Sequence, residues 1–145
     1  MTDTVTLHVK LEGMKVSRTL QIEAGDSLHE LASLICRAFD FDLDHAFGFY
    51  SETKGYRYHA SKRKFELFAD MGEGSEGARP VSSSTVLEAF PKVATKMLYL
   101  FDYGDEWRFI VTREKDALLV PGARTPRIVA SHGKAPAQYP GSDDA

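Results

Sequence analysis

The stretch MLYLFDYGDEWRFIVTRE, residues 97–114, decides the fold of this chain. Residues 97–101 are all apolar or aromatic, so both faces of that strand must be covered, as in the middle of a sheet. After a polar tip, residues 107–114 alternate in the manner of a strand with one buried face. The tip contains Asp102 and Gly104, which favour a tight turn with a positive φ at the glycine. The stretch therefore predicts a central antiparallel β-hairpin.

The single tryptophan of the chain, Trp107, begins the second strand of this hairpin. It shares one face of the strand with Phe109 and Val111, so we expect its ring to cover the core of the sheet. A buried indole N–H usually finds a hydrogen-bond partner, and we expect one acceptor near the tip. Trp107 is thus predicted to be a structural anchor of the hairpin.

The remaining chain supplies partners for the central hairpin. Two alternating runs within residues 5–22 predict an opening hairpin. Ser27 and Glu30 fit a capping box, and apolar residues recur at helical spacing after it, which predicts a helix from about 27 to 39. Further short strands are predicted at residues 118–120 and 127–130. The predicted fold is α+β, an antiparallel sheet of hairpins of mixed length with one main helix packed on it.

Length and composition limit the class of protein. The chain has 145 residues, 43% hydrophobic and 27% charged, and its 18 basic and 21 acidic residues give a net charge of −3. We predict one domain over residues 1–137, with a mobile loop at about 69–84 and a disordered tail at 138–145. One cysteine, Cys36, excludes an intramolecular disulfide, and no apolar run reaches the about 20 residues of a membrane span. We therefore expect a cytoplasmic protein with no membrane partner.

Three segments match the pattern of a known family. FDYGDEW at residues 101–107 is similar to a YDFGDxW signature, residues 28–47 are similar to LHxxIQxAFGWxxxHLxxF, and residues 125–139 are similar to a Pro- and Gly-containing C-terminal segment. Together they resemble the Ri-plasmid ORF-three-like family, a bacterial and archaeal group without a settled activity. The chain departs from the family pattern at Phe109, where a His is frequent, and in lacking a tail cysteine. The resemblance covers nearly the whole chain and implies an uncharacterised function.

Acidic residues cluster at the predicted hairpin tip. Asp102, Asp105 and Glu106 are close in sequence, and such carboxylates can serve as a general acid and base or hold a cation. Turns also collect Asp because its side chain bonds to the turn backbone, and this is the interpretation we favour. A metal-assisted enzyme that uses the acidic tip stays an alternative.

A second group of donors follows the predicted helix. Asp42, Asp44 and His45 supply oxygen and nitrogen atoms that a divalent cation accepts. Their spacing matches no metal-binding motif, because an EF-hand loop would need its Gly and its distal Glu. We therefore predict no metal and no cofactor.

The most basic stretch is residues 56–65, YRYHASKRKF. Tyr56, Arg57 and Tyr58 open it, and aromatic rings beside cations suit contacts with single-stranded nucleic acid. A twisted edge strand, whose cations discourage aggregation with other sheets, explains the same pattern and is our preferred interpretation. Weak nucleic-acid binding is therefore a second alternative.

The sequence favours a binding or interaction module, and it identifies no catalytic residue. Its partner would be an unknown protein or a small ligand. The candidate binding residues are Asp102, Tyr103, Asp105 and Trp107 at the hairpin, His45 before the next strand, and Tyr56, Arg57 and Tyr58 in the basic stretch.

Overall fold

The computed structural model describes residues 4–115 and 124–139. These residues form one mixed sheet of eight strands with three α-helices, which confirms the predicted α+β class with one main helix. The strands are β1 (Thr4–Leu11), β2 (Ser17–Glu23), β3 (Phe47–Tyr50), β4 (Lys64–Glu66), β5 (Arg79–Pro80), β6 (Lys96–Phe101), β7 (Trp107–Glu114) and β8 (Arg127–His132). The α-helices are α1 (Leu28–Ala38), α2 (Leu67–Asp70) and α3 (Val86–Ala89), and Arg57–Ala60 forms a 3₁₀ turn.

The predicted central hairpin lies in the middle of the sheet. The strand order is β5-β4-β3-β6-β7-β1-β2-β8, so β6 pairs with β3 on one side and with β7 on the other. Tyr99 lies opposite Phe109, and Phe101 lies opposite Trp107. The opening hairpin joins through β1, whose Val9 pairs with Val111 of β7. Both predicted hairpins are therefore confirmed as parts of one sheet.

Helix α1 covers one face of the sheet. Its capping box is present, because the Ser27 side chain accepts a hydrogen bond from the Glu30 backbone N–H, and the Glu30 side chain accepts one from the Ser27 backbone N–H. The apolar side of α1 packs against alternate residues of the strands, and Met97, Tyr99 and Phe101 are fully buried there. The periodicity of residues 27 to 39 therefore predicted the helix correctly.

A smaller cluster covers the other face of the central strands. Leu98 and Leu100 point to this side and pack with Tyr50 and Tyr58. Tyr58 belongs to the 3₁₀ turn, and its ring centroid lies 5.0 Å from that of Tyr50. This second cluster explains why every residue of 97–101 is apolar.

The predicted edge strand at 56–65 is wrong. Its first half forms the 3₁₀ turn, and only Lys64–Glu66 is a strand, which lies inside the sheet between β3 and β5. The two-residue strand β5 runs parallel to β4, whereas all other pairs are antiparallel, so the sheet is mixed rather than purely antiparallel. Strand β4 lies inside the sheet because it pairs with β5 as well as with β3. The charge pattern of residues 56–65 carries no information about that pairing.

Strand β8 confirms the strand predicted at 127–130, while the strand predicted at 118–120 lies outside the described residues. Across residues 4–115 and 124–139, no helix has the length and apolar character needed to cross a membrane.

Candidate functional site

Four loops meet at one end of the sheet. They are the β1–β2 turn, the connection after α1, the β6–β7 tip and the segment after β8. A cleft of about 610 Å³ lies there. Leu11, Glu12 and Met14 line it from the first hairpin, Asp105, Glu106, Trp107 and Arg108 from the central hairpin, and Tyr139 from the C-terminal segment. The cleft thus lies between two hairpin tips.

The tip of the central hairpin is a turn organised by Asp102. Its Oδ1 accepts hydrogen bonds from the backbone N–H of Gly104 at 3.0 Å and of Asp105 at 3.2 Å, as predicted for an Asp in a turn. The positive φ expected at Gly104 is found instead at Asp102, with φ 66°, and at Glu106, with φ 54°. Asp102 is buried, so its side chain supports the turn from inside.

His45 lies beside this turn. Its Nε2 is 3.5 Å from Oδ2 of Asp102 and 3.7 Å from Oδ1 of Asp44. Its ring meets that of Phe101 edge to face, with 6.1 Å between the centroids. The fold therefore brings His45 and Asp102, two of the predicted site residues, into one cluster.

The C-terminal segment crosses the same cluster. Gln138 accepts a hydrogen bond from the Asp42 backbone N–H at 2.7 Å and donates one to the Asp42 carbonyl at 3.0 Å. Tyr139 donates to Oδ2 of Asp44 at 2.6 Å, and its hydroxyl lies 2.9 Å from Nε2 of His45. This bond to Asp44 raises the pKa of Tyr139 to about 12. Residues 140–145 of the predicted tail lie outside the described part of the chain.

Trp107 contributes to both the cleft and the core. Its ring contacts that of Phe41 edge to face at a centroid distance of 4.8 Å and packs against the main core, which confirms its predicted orientation. The predicted acceptor is not found, because the buried Nε1 has no hydrogen-bond partner among the described residues. The indole is therefore held by packing.

The rim of the cleft carries more negative than positive charge. Nε of Arg108 lies 2.6 Å from Oε1 of Glu12, and its Nη1 lies 4.0 Å from Oε1 of Glu106. The side chain of Asp105 has neither a hydrogen bond nor an ion pair within the described ranges. The lining thus contains three carboxylates and one guanidinium, and two of the carboxylates lie within 4.0 Å of that guanidinium.

Tyr103 points away from the cleft, to the opposite face of the sheet. Its hydroxyl lies 2.7 Å from that of Tyr50, which in turn donates to Oε2 of Glu66 at 2.7 Å. Glu66 is buried and also accepts hydrogen bonds from the backbone N–H and the hydroxyl of Ser75. Burial opposes ionisation of Glu66, but these hydrogen bonds and nearby Lys64 outweigh it and lower its pKa. Tyr103 is therefore part of a separate, internally satisfied network.

The basic stretch does not join the cleft, and part of it is buried. Lys64 donates to the His59 carbonyl and to Ser75, and Arg63 donates to the carbonyls of Glu88 and Ala89. Tyr58 is buried, whereas Tyr56, Arg57 and Lys62 are exposed. Of the four cations that suggested nucleic-acid contacts, two therefore face solvent.

Two of the eight residues that line the cleft were candidates from the sequence. Sequence reasoning identified Asp105 and Trp107, but it missed Glu12, Met14 and Tyr139, which come from the first hairpin and the end of the chain. For Tyr139 the available signals were its place in the family-like segment 125–139 and an aromatic side chain in a tail predicted to be disordered. Among the described residues, no group of three or more His, Cys, Asp and Glu side chains could hold a metal ion.

The fold places this chain among α+β proteins in which one main helix covers a mixed sheet. A cleft between two hairpin tips lies at one end of that sheet. The profile of the family described as "Plasmid pRiA4b ORF-3-like protein" matches residues 3–142, so the chain belongs to that family. A crystal structure of MM3350, a protein of unknown function from Methanosarcina mazei Go1, is similar in fold, with a TM-score of 0.72 and 17% identity over 93% of this chain and 72% of that chain. No curated protein matches the chain.

The segments that carry the family resemblance converge at the cleft. His45 comes from the segment at residues 28–47, Asp102 and Trp107 come from FDYGDEW, and Tyr139 comes from the segment at residues 125–139. His45 and Asp102 contact each other, Tyr139 contacts His45, and both Trp107 and Tyr139 line the cleft. This end of the sheet is therefore the best candidate for a functional site.

Proposed function

We propose that the protein is a binding module whose ligand occupies the cleft between the two hairpin tips. The observation that carries the proposal is the cleft itself, whose volume of about 610 Å³ is in the range of roughly 300–1,000 Å³ that is usual for ligand sites. Leu11, Met14 and Trp107 give it an apolar lining, and the charged rim offers a few polar contacts. Such a combination favours ligand capture.

The contacts at the tip support binding over catalysis. Asp102 is engaged by the turn backbone, and Glu106 lies near the guanidinium of Arg108. Both carboxylates are therefore already engaged. The thiol of Cys36 is buried, and burial raises its pKa to about 11, so it is not poised as a nucleophile. A binding module therefore requires fewer assumptions than the metal-assisted enzyme.

Phenol, a small neutral aromatic probe, tests where the protein binds apolar groups. We expect its titration into ¹⁵N-labelled protein to shift the amide signals of residues 11–14 and 105–108 and the indole N–H signal of Trp107, because these residues line the cleft. Met14→Lys should weaken these shifts, since it places a charged chain at the mouth. Met71→Lys is the matched control, because Met71 is also exposed but lies outside the lining.

Two results would argue against the proposal. Shifts spread over exposed apolar residues such as Phe68 and Met71 would show that the cleft has no preference for a ligand. Shifts confined to residues 56–60 would move the binding site to the basic stretch.

A further inference from the structure

The charges around the cleft are unbalanced. Arg108 is the cation of the lining, its side chain is 14% exposed, and it is already held by Glu12 and by the Thr53 carbonyl. Asp105 has no partner of this kind among the described residues. The lining therefore leaves negative charge at its rim that a ligand can neutralise.

The groups next to the lining carry both signs of charge. The ammonium of Lys10 donates to the carbonyls of Leu11 and Met14 at the β1–β2 turn, whereas carboxylates lie on the side of the β6–β7 tip. Asp44 and Asp102 flank His45 next to the cleft, and both lie within 3.7 Å of its Nε2. Carboxylates grouped around a concave, partly apolar surface raise the local concentration of cations and repel phosphate groups. The field therefore favours a positively charged ligand and disfavours nucleic acid at this end.

The lining also offers contacts for the rest of a cationic side chain. Trp107 and Tyr139 supply aromatic rings, which attract ammonium and guanidinium groups placed over their faces. Met14, 40% exposed, supplies a flexible thioether that packs on methylene groups. A planar guanidinium on an aliphatic stem matches both features, because it stacks on rings and pairs with carboxylates.

The C-terminal segment shows how a polypeptide lies on this end of the fold. Residues 134–137 have no regular structure, yet Ala135 packs on the core and Gln138 bonds to both backbone groups of Asp42. Tyr139 then reaches the cleft. A segment without regular secondary structure is therefore already accommodated beside the cleft.

We propose that the cleft binds a basic segment of a partner polypeptide, with an arginine or lysine side chain beside Trp107 and Tyr139 and its charge against Asp105. This inference rests on the proposed function, since it names the ligand class of the same cleft. Charge complementarity selects the basic residue, and the apolar lining holds its stem.

The fluorescence of Trp107, the sole tryptophan, measures binding directly. The probe is a blocked five-residue peptide with two arginines in an alanine background, and its matched control has glutamates in their place. We expect a saturable change with the arginine peptide, weakened by added salt, and none with the glutamate peptide. Asp105→Asn should weaken binding by roughly two- to fivefold, and Asp105→Lys by roughly tenfold or more. Glu76→Gln removes an exposed carboxylate outside the lining and should leave binding unchanged.

Each other outcome overturns the inference. Equal binding of the two peptides, or equal loss in Asp105→Asn and Glu76→Gln, would show that the cleft does not select for charge. Agmatine, a small guanidinium compound, is compared with the arginine peptide. If agmatine binds as tightly as the peptide, the ligand of the cleft is a small amine and not a polypeptide. If phenol maps to the cleft while the arginine peptide fails to bind, the proposed function stands and this inference falls. If both fail, the proposed function falls as well.

Discussion

The hydroxyl group of Tyr139 donates a 2.6 Å hydrogen bond to Asp44, across 95 residues of sequence. The same hydroxyl lies 2.9 Å from Nε2 of His45, and Tyr139 also lines the cleft beside Trp107. The C-terminal segment is therefore a wall of the candidate site as well as the end of the described chain. Its attachment uses exposed polar contacts, so it is a part of the site that can be changed without disturbing the core.

Tyr139→Phe should loosen this wall while preserving the fold. The variant keeps the ring but loses the bonds to Asp44 and His45, and exposed contacts of this kind contribute little to global stability. We expect acrylamide to quench the fluorescence of Trp107 more strongly, with a melting temperature close to that of the parent. Tyr56→Phe is the control, because Tyr56 is 73% exposed and lies outside the cleft lining. Equal quenching in parent and Tyr139→Phe would show that the hydroxyl does not hold the segment.

The attachment should also respond to high pH. The bond to Asp44 raises the pKa of Tyr139 from 10.0 to about 12, since the hydroxyl loses its donor hydrogen on ionisation. A folded-state pKa above the unfolded value means that the contact is fully present below pH 10.0 and is lost as the pH rises through about 12. We expect the difference in tyrosinate absorbance between parent and Tyr139→Phe to show one group with a midpoint near 12. A midpoint near 10.0 would contradict the bond to Asp44.

Gly48→Ala should destabilise the face of the sheet opposite α1. A Cβ at position 48 would lie 2.7 Å from the Tyr50 hydroxyl and 2.8 Å from the Tyr103 hydroxyl, closer than packed atoms approach. Overpacking of this kind typically costs about 1–3 kcal/mol. Urea denaturation measures the loss, and Gly25→Ala is the matched control, since a Cβ there meets nothing within 4 Å. Equal stability of the two variants would mean that the tyrosines move apart freely.

The hydrogen bonds of Glu66 should make the stability of the protein depend on pH in the acidic range. Burial acts to raise the pKa of Glu66, but the bonds from Tyr50 and Ser75 outweigh it, so the folded pKa lies below 4.5. A depressed pKa contributes stability above the unfolded value of 4.5, and that contribution is lost as the pH falls through the folded pKa. Glu66→Gln should therefore be less stable than the parent at pH 7, and the difference should shrink below pH 4.5. If Glu66→Gln loses the same stability at pH 7 and below pH 4.5, the charge of Glu66 does not contribute to stability. Glu76→Gln, an exposed control, should show no deficit at pH 7.

Local patterns predicted the framework because they depend on neighbours in sequence. The apolar run 97–101 and the alternation of 107–114 report burial on each face of a strand, and the capping box at Ser27 needs only Glu30. These signals led directly to the central hairpin and to α1. The architecture of the sheet's middle was therefore readable from the chain.

The site was only partly readable because its parts meet through distant contacts. Glu12 and Tyr139 reach the cleft from the two ends of the chain, and no local pattern relates them to Trp107. Lys64 appeared to be a solvated cation, yet pairing of β4 between β3 and β5 buries it. A charge pattern in the sequence predicts an exposed surface only when the strand order is known, because the strand order determines which side chains face solvent.

The ring of Trp107 packs on Phe41, although its buried Nε1 has no acceptor in the described part of the chain. Trp107→Ala removes the whole contact, and because the side chain is half-buried the loss should lie near the lower end for such truncations, about 3 kcal/mol. Trp107→Phe keeps a ring against Phe41 and removes the unpaired N–H, whose burial typically costs about 1–3 kcal/mol. We therefore expect Trp107→Phe to lose less than half as much stability as Trp107→Ala.

Far-UV circular dichroism in urea gives both values, because the fluorescent residue itself is replaced. Phe109→Leu provides the comparison for a fully buried ring on the same strand face, where the large-to-small change leaves a cavity. If Trp107→Phe and Trp107→Ala are equally destabilised, the indole N–H has a partner that holds the tip, and packing on Phe41 is not what anchors the hairpin. If neither variant loses stability, Trp107 does not stabilise the fold, and its role is in ligand binding at the cleft.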